Sequence, residues 1–212
     1  MTTVIVDYES GNLHSAEKAF QRMAQETGAG DVIVTADPEV IRRAARIVLP
    51  GDGAFPACRA ALFDHRGVYE AIDEAVRSHG RPFLGICIGM QMLATRGLEY
   101  TETPGFDWIG GTVAHIAPTD PALKVPHMGW NDLVIDHAHP VLGGIETGDH
   151  AYFVHSFHFE VADPAHRLAH VEYGGAITAI VGRDTMLGTQ FHPEKSQATG
   201  LRLIANFLAW RP

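Results

Sequence analysis

The first half of the chain alternates between two patterns of hydrophobic residues. Short apolar runs, typical of buried strands, are separated by stretches in which apolar residues recur every three or four positions, as on one face of a helix. The strands predicted in this way span residues 3–8, 32–34, 46–49 and 82–86. Helices are predicted around the apolar positions 13, 16, 20 and 23 and over residues 38–45 and 68–77. Strands that alternate with helices predict a parallel sheet covered by helices on both faces.

The second half changes character and is mostly strand-like. Predicted strands span residues 109–116, 133–135, 151–161, 168–173, 177–181 and 186–191. The turn residues Gly182-Arg183-Asp184 favour an antiparallel hairpin between the last two of these strands. A final helix is predicted after Ser196, and its apolar face carries Leu201, Ile204, Phe207 and Leu208.

The chain contains no linker, repeat or low-complexity segment. We therefore predict a single α/β domain over residues 1–212, with a parallel or mixed central sheet flanked by helices. Extra antiparallel strands are expected in its C-terminal half. Ligands of open parallel sheets bind beyond the C-terminal ends of the strands, so chemically active residues are expected at that edge.

Composition narrows the classes of protein to which the chain can belong. Hydrophobic residues make up 46% of the chain and charged residues 19%, which suits a soluble globular enzyme. No apolar run approaches the ~18 residues that a membrane helix needs. The net charge of −9 argues against general binding of nucleic acid. The N-terminus lacks a signal sequence, and two cysteines form no disulfide framework, so we expect a cytoplasmic protein.

The segment Gly85-Ile86-Cys87-Ile88-Gly89 carries the clearest chemical signal. A cysteine between two near glycines, where a strand turns sharply into a helix, is the thiol form of a nucleophile elbow. Glycine is needed because side chains at positions 85 and 89 would crowd the turn. The N–H groups at the start of the following helix favour the reactive thiolate. A buried structural cysteine is equally compatible with this local pattern.

A thiol nucleophile needs a base, and the base needs a group that orients it. The segment Phe191-His192-Pro193-Glu194 offers both. Pro193 disfavours a helical conformation at His192, so we expect His192 and Glu194 on extended backbone, projecting to similar sides. Because the chain has 13 histidines, this motif alone is weak evidence. The order Cys87, His192, Glu194 is much more specific and predicts a catalytic triad.

Together, Gly-Ile-Cys-Ile-Gly-Met-Gln at residues 85–91 and Phe-His-Pro-Glu at residues 191–194 resemble the class I (triad) glutamine amidotransferase family. In that family the cysteine attacks the side-chain amide of glutamine and releases ammonia. The resemblance implies a flavodoxin-like glutaminase domain that uses no cofactor. Residues 6–13, 49–55, 126–131 and 152–157 further resemble one branch of the family. In that branch the glutaminase chain serves a separate (β/α)8-barrel synthase chain.

The resemblance also implies roles for individual residues, with Cys87, His192 and Glu194 as the triad. The backbone N–H groups of Asp52 and Ile88 are expected to hold the oxyanion of the reaction. Family members often carry an apolar residue at the position of Asp52, which leaves the role of its carboxylate open. Contacts to glutamine are expected from Gly53, Gln91, Glu99, Ser156 and Phe157. The partner chain is expected to contact Tyr8, Asn12, Lys124, His127, Met128 and Trp130.

Several alternatives are compatible with the sequence alone. The turn at residues 50–53 could simply end a strand, Trp130 could belong to the core, and Glu99 could be a solvated surface residue. A glutaminase of another amidotransferase, such as anthranilate synthase, or a free-standing thiol hydrolase would share the triad. The spacings His137-x-His139 and His155-x-x-His158 could suit zinc. No cysteine or carboxylate set accompanies them, so we expect no metal site.

Overall fold

The structure is a computed structural model that describes residues 1–212. In chain order, the helices are α1 (Leu13–Thr27), α2 (Pro38–Arg42), α3 (Phe55–Asp64), α4 (Val68–Asp73), α5 (Ile88–Gln91) and α6 (Gln197–Ala209). The strands of the first half are β1 (Thr2–Val6), β2 (Asp31–Thr35), β3 (Arg46–Gly51), β4 (Phe83–Cys87), β5 (Arg96–Gly97) and β6 (Thr103–Pro104). The remaining strands are β7 (Gly111–His115), β8 (His127–Asp132), β9 (Val134–Ile135), β10 (His150–His155), β11 (Phe157–Val161), β12 (Arg167–Glu172), β13 (Ala176–Arg183) and β14 (Met186–Thr189).

An eight-stranded sheet in the order β2-β1-β3-β4-β14-β13-β12-β9 forms the centre of the molecule. The strands from β2 to β14 in this order run parallel to one another, whereas β13, β12 and β9 are added in antiparallel pairing. The predicted α/β fold with a mixed sheet and extra antiparallel strands is therefore confirmed. Because β14 pairs with β4, the C-terminal part of the chain lies beside the strand that carries Cys87.

The hydrophobic pattern explains how the helices cover this sheet. All residues of β3 and β4 are buried, as expected for parallel strands with helices on both faces. Helix α1 buries Phe20 and Met23, two of the positions that the sequence places on its apolar face. It packs against α6, where the rings of Phe20 and Phe207 meet edge to face with centroids 6.5 Å apart. None of the helices combines the length and the apolar character that a membrane span requires.

Two smaller sheets accompany the central one, and they show that the single strand predicted over residues 151–161 is wrong. Residues 151–161, expected as one strand, form β10 and β11, which are separated at Ser156. Strand β10 pairs with β8, whereas β11 joins a four-stranded sheet next to β7. The chain therefore changes sheets at Ser156, which the strand-like pattern of residues 151–161 does not reveal.

Other differences concern the helices. The helix predicted over residues 38–45 ends at Arg42, because Ala45 already donates its N–H to the Thr2 carbonyl as the chain enters β3. The helix predicted over residues 68–77 becomes a π-helix from Glu74 to Ser78. The sequence interpretation missed α3 altogether, although Pro56 in its first turn is a helix-start signal. It also missed β8, which turns out to border the candidate site.

Candidate functional site

Cys87 ends β4 in a strained conformation. Its backbone has φ 55° and ψ −111°, which a residue with a side chain adopts only where the surroundings impose it. The flanking glycines make the turn possible. A Cβ atom at Gly85 would lie 2.3 Å from the Gly89 carbonyl oxygen, and one at Gly89 would lie 1.8 Å from that of Leu49. The sharp strand-to-helix turn expected of a nucleophile elbow is therefore present, with α5 starting at Ile88.

His192 follows β14 and is held firmly by its neighbours. Its N–H donates to the Tyr152 carbonyl at 3.2 Å, and its carbonyl accepts the Ser196 hydroxyl at 2.7 Å. Ring nitrogen Nδ1 lies 2.9 Å from Oε1 of Glu194. His192 is extended as expected, but Glu194 lies in the 3-10 turn Pro193–Lys195, so the prediction of extended backbone is wrong there. That turn brings the carboxylate back to the ring.

The electrostatics of His192 favour its protonated form. Burial by itself lowers the pKa of the imidazole, but its interactions with the Cys87 thiol and the Glu194 carboxylate outweigh burial and raise the pKa to about 10. The side chains of His192 and Glu194 are almost fully buried, with 4% and 2% exposed. Nitrogen Nε2 has no hydrogen-bond partner and is therefore the atom available for proton exchange with the thiol. The arrangement can stabilise an imidazolium next to a thiolate.

A cavity of about 260 Å³ opens beside Cys87. Eight residues expected at the site line it together: Asp52, Gly53, Cys87, Ile88, Gln91, Glu99, Ser156 and Phe157. They come from parts of the sequence more than a hundred residues apart, because β3, β4 and the junction of β10 and β11 converge here. The cavity is at the small end for a ligand pocket, which suits a substrate the size of an amino acid.

Polar groups in this cavity are oriented for binding. The Gln91 Nε2 donates to the Phe157 carbonyl and to Oε1 of Gln190, both at 3.1 Å. Its Oε1 is buried without a partner and can accept a hydrogen bond from a ligand. Glu99 accepts the N–H of Phe55 at 2.7 Å and so caps the first turn of α3. This contact argues against a purely solvated Glu99.

The expected oxyanion donor is engaged elsewhere in this structure. The Asp52 N–H donates to Oγ of Ser10 at 3.2 Å, and the Ser10 hydroxyl lies 2.9 Å from the Asp52 carbonyl oxygen. The Asp52 carboxylate is exposed and makes no hydrogen bond or ion pair. Gly53 next to it has φ +114°, a value that permits this turn and that few other residues adopt.

The residues expected to face a partner chain fall into two groups. Met128 and Trp130 in β8 are 62% and 47% exposed, so the alternative of a core tryptophan is wrong. Lys124 is exposed as well, and Asn12 is half-buried at the start of α1. Tyr8 and His127 are buried, so their side chains are removed from the candidate contact surface. Tyr8 instead donates its hydroxyl to the Pro50 carbonyl at 2.7 Å and supports the turn that carries Asp52.

Sequence reasoning missed two polar residues of the site. The Nε2 of Gln190 lies 3.7 Å from the Cys87 sulfur, and Ser10 holds Asp52. Gln190 directly precedes the Phe-His-Pro-Glu segment, which is the only sequence signal that could have indicated it. No group of three or more His, Cys, Asp or Glu side chains is placed so that it could hold a metal ion.

Comparison with known sequences gives a consistent result. The family model for class-I glutamine amidotransferases matches residues 4–210. Relatives named imidazole glycerol phosphate synthase subunit HisH are 76% identical in Cereibacter sphaeroides, 68% in Ruegeria pomeroyi and 58% in Rhodospirillum rubrum. Each of these alignments covers 100% of this chain and 100% of the relative.

Comparison with solved structures supports the fold. A crystal structure of a glutamine amidotransferase matches with a TM-score of 0.73 at 18% identity, covering 98% of this chain and 99% of that chain. The structure of PurLQS from Thermotoga maritima matches with a TM-score of 0.68 at 16% identity, covering 98% and 97%. At these identities the likeness concerns the fold alone.

Proposed function

Because the chain belongs to the class I glutamine amidotransferase family, we propose that Cys87, His192 and Glu194 hydrolyse glutamine and that the ammonia passes to a partner chain. The chain is a glutaminase and acts as the glutamine amidotransferase subunit of an imidazole glycerol phosphate synthase, in histidine biosynthesis. The single observation that carries the proposed mechanism is the strained Cys87 beside an imidazole that Glu194 orients.

The first chemical step forms a covalent intermediate. His192 takes the thiol proton of Cys87, and the thiolate attacks the γ-carboxamide carbon of glutamine. Glu194 stabilises the resulting imidazolium through Nδ1, at the 2.9 Å distance given above. The raised pKa of His192, about 10, supports this role because it reflects an environment that favours the protonated ring.

The tetrahedral oxyanion then needs hydrogen-bond donors. We assign the N–H of Ile88, at the start of α5, and the N–H of Asp52. The second donor becomes available only when it leaves Ser10. Gln91, Glu99, Ser156 and Phe157 line the rest of the cavity and are assigned to the amino-acid end of glutamine.

Collapse of the intermediate releases ammonia. His192 donates its proton to the leaving nitrogen, and the γ-glutamyl group remains on the Cys87 sulfur as a thioester. Water, activated by His192, then hydrolyses the thioester to glutamate and restores the thiol. The two free cysteines and the thiolate chemistry suit a reducing compartment, and we assign the cytoplasm.

The partner in this proposal is a (β/α)8-barrel synthase chain. It combines ammonia with a phosphoribulosyl formimino aminoimidazole carboxamide ribotide (PRFAR) and forms imidazole glycerol phosphate and AICAR. Exposed Met128 and Trp130 support a docking face, because large apolar side chains anchor interfaces. A second cavity, of about 470 Å³, borders Met128 and Lys124. Pro126 lines both cavities, so the docking face adjoins the glutamine pocket.

The two halves of the chain act together in this mechanism, and we propose that residues 1–212 work as one domain. Strands of both halves share the central sheet, which supports the proposal. A free-standing hydrolase would not need an exposed apolar face next to its pocket. For a glutaminase of anthranilate synthase, we would not expect full-length relatives that are named subunits of imidazole glycerol phosphate synthase.

The division of labour can be tested with Cys87→Ser in the complex with the synthase chain. We expect glutamine-dependent synthesis to disappear, whereas synthesis from added ammonium salt continues at the wild-type rate. The reason is that the thiol serves only glutamine hydrolysis. Formation of imidazole glycerol phosphate from each nitrogen source measures this. Loss of ammonium-dependent synthesis in a folded complex would contradict the proposal.

A further inference from the structure

Two buried histidines outside the triad connect the docking face to the glutamine pocket. His127 in β8 and His155 in β10 are cross-strand partners and are only 2% and 7% exposed. Nδ1 of His127 lies 2.9 Å from Nε2 of His155. Nδ1 of His155 in turn lies 2.8 Å from the Phe157 carbonyl oxygen. At these distances both rings form hydrogen bonds, as buried polar groups generally do.

The hydrogen-bond partners fix where the protons of both rings are. A carbonyl oxygen only accepts, so Nδ1 of His155 carries a proton. Burial lowers the pKa of His127 to about 4 and that of His155 to about 3, so both rings are neutral at pH 7. Nε2 of the neutral His155 therefore accepts the Nδ1 proton of His127, and Nε2 of His127 accepts from the side-chain amide of Asn131, which lies 3.2 Å away. All bonds of the chain thus point from Asn131 towards Phe157.

The chain continues into the pocket. The Phe157 carbonyl oxygen also accepts from Gln91, whose second donor goes to Gln190. These two bonds hold the amide of Gln91, a residue that lines the cavity, and leave its Oε1 without a protein partner. The Gln190 amide reaches the Cys87 sulfur at 3.7 Å. An uninterrupted series of donors and acceptors thus runs from β8 to the nucleophile.

The rings have little freedom to leave these positions. His127 is stacked on Phe153 with ring centroids 4.8 Å apart, and Tyr173 packs against it at 4.1 Å. Met128 directly follows His127 in β8 and is exposed on the docking face. A partner chain that covers Met128 therefore contacts the strand that holds His127.

We propose that His127 and His155 are positioning residues of the glutaminase site. Together they hold the Phe157 carbonyl, and through it the Gln91 amide, in the orientation that binds the amino-acid end of glutamine. The inference rests on the proposed function, because it assigns that pocket to glutamine. Neither histidine touches the reacting atoms, so their removal affects substrate binding more than the chemical step.

The test is a set of variants measured as glutamine hydrolysis in the complex with the synthase chain. His127→Phe keeps the aromatic packing but removes the donor to His155, whereas His127→Gln keeps a donor. Loss of a buried hydrogen-bond partner predicts a roughly tenfold or larger rise in KM for His127→Phe, with kcat changed less than about threefold. His127→Gln is expected to restore much of the wild-type KM. His150→Phe, an exposed position of β10, is the matched control and is expected to keep both constants.

A second measurement does not depend on variants. Nitrogen-15 NMR of the wild-type chain reports which nitrogen of each imidazole carries the proton, and we expect the Nδ1–H form for both rings. His155 in the Nε2–H form, or in the protonated form at neutral pH, would overturn the inference. An unchanged KM in folded His127→Phe, or an equal rise in His127→Gln, would overturn it too. A wild-type complex that fails to hydrolyse glutamine would instead refute the proposed function.

Discussion

At the residue scale, the proposed mechanism depends on the Asp52 peptide, whose N–H is the proposed second oxyanion donor. In this structure its N–H is bound by Ser10, and its carboxylate is free. Two unit charges ~4 Å apart repel by ~4 kcal/mol at an effective dielectric near 20. That repulsion is as large as the ~3 kcal/mol that one oxyanion donor contributes. The active arrangement must therefore present the N–H, and not the carboxylate, to the oxyanion.

Two substitutions at Asp52 separate these groups. Asp52→Ala keeps the N–H and removes the charge, so we expect hydrolysis in the complex to be kept or raised. Asp52→Pro removes the N–H, and we expect hydrolysis to fall by a factor of about 100. Proline also restricts Gly51, so only the comparison of both variants is informative. A large loss of activity in Asp52→Ala would show that the carboxylate itself participates.

The buried histidines predict a specific dependence of stability on pH. The pKa values of about 4 for His127 and about 3 for His155 lie below the value of 6.5 for an exposed histidine. Between these values and pH 6.5 the unfolded chain binds more protons than the folded one, so stability falls as the pH is lowered. Each ring contributes a slope of about 1.4 kcal/mol per pH unit in that window.

We therefore expect the free energy of unfolding of His127→Phe to depend less steeply on pH than that of the wild type. Between pH 4.5 and 6 the difference in slope should be about 1.4 kcal/mol per pH unit. Urea denaturation of the isolated chain at several pH values measures it. Above pH 6.5 the two chains should show parallel curves, because neither state then takes up protons at this site. Equal slopes in the acidic window would show that His127 is protonated in the folded chain.

Residue-scale predictions from sequence were made where one local segment contains the whole signal. For Cys87 with its glycines the structure has the expected sharp turn, and for His192 with Glu194 it has the expected contact between the two side chains. Their catalytic roles stay predictions. Ser10 and Gln190 were not predicted because their roles come from contacts with Asp52, 42 positions away, and with Cys87, 103 positions away. Tyr8 and His127 were wrongly predicted to lie on the surface. A motif indicates that a residue matters, but it does not tell whether the side chain points to solvent or to the core.

At the element scale, β8 carries both the proposed docking residues and the buried His127. It pairs with β10 in a two-stranded sheet, and it presents Met128 and Trp130 to solvent while His127 points inward. Side chains two positions apart on a strand share a face, so Met128 and Trp130 form one continuous apolar surface. The rings of Trp130 and Tyr152 meet edge to face with centroids 5.8 Å apart, which holds the indole in place without burying it.

Trp130→Ala tests this surface. We expect the isolated chain to keep its Tm within a few degrees, whereas its affinity for the synthase chain falls by a factor of about 30 or more, as for an interface anchor. Trp108→Ala is the matched control, because Trp108 is 3% exposed and its removal should cost about 3–5 kcal/mol. Thermal melts and titration calorimetry measure the two effects. A drop in Tm for Trp130→Ala as large as that for Trp108→Ala would remove Trp130 from the interface.

Strands β1 to β4 were predictable because each is short, apolar and followed by a helix, whereas α3 and the two-residue strands β5 and β6 were not predicted. Prediction failed where pairing partners determine the element. The segment at residues 151–161 is rich in aromatic and β-branched residues and contains no Gly or Pro, so its sequence shows no break. Only its two different partners, β8 and β7, divide it at Ser156. That division matters for function, because it places Ser156 and Phe157 at the pocket.

At the scale of the whole molecule, residues from both halves of the chain line the pocket. In the proposed mechanism the first half supplies the nucleophile and the turn at Asp52, and the second supplies the base and the docking strand. The parallel pairing of β14 with β4 brings the two together. In the isolated chain the N–H of Asp52, the proposed second oxyanion donor, is bonded to Ser10. The proposed mechanism therefore requires a change of this turn, and we expect a partner to induce it at the adjoining docking face.

Dependence of the glutaminase on its partner is tested most directly by steady-state glutamine hydrolysis. The rate is measured for the isolated chain, then with the synthase chain, and again with PRFAR added. We predict that the isolated chain is nearly inactive and that the partner with its ligand raises kcat by orders of magnitude. Cys87→Ser, inactive in all three conditions, sets the background. An isolated chain that hydrolyses glutamine as fast as the complex would contradict the account, because it would identify a hydrolase that works alone.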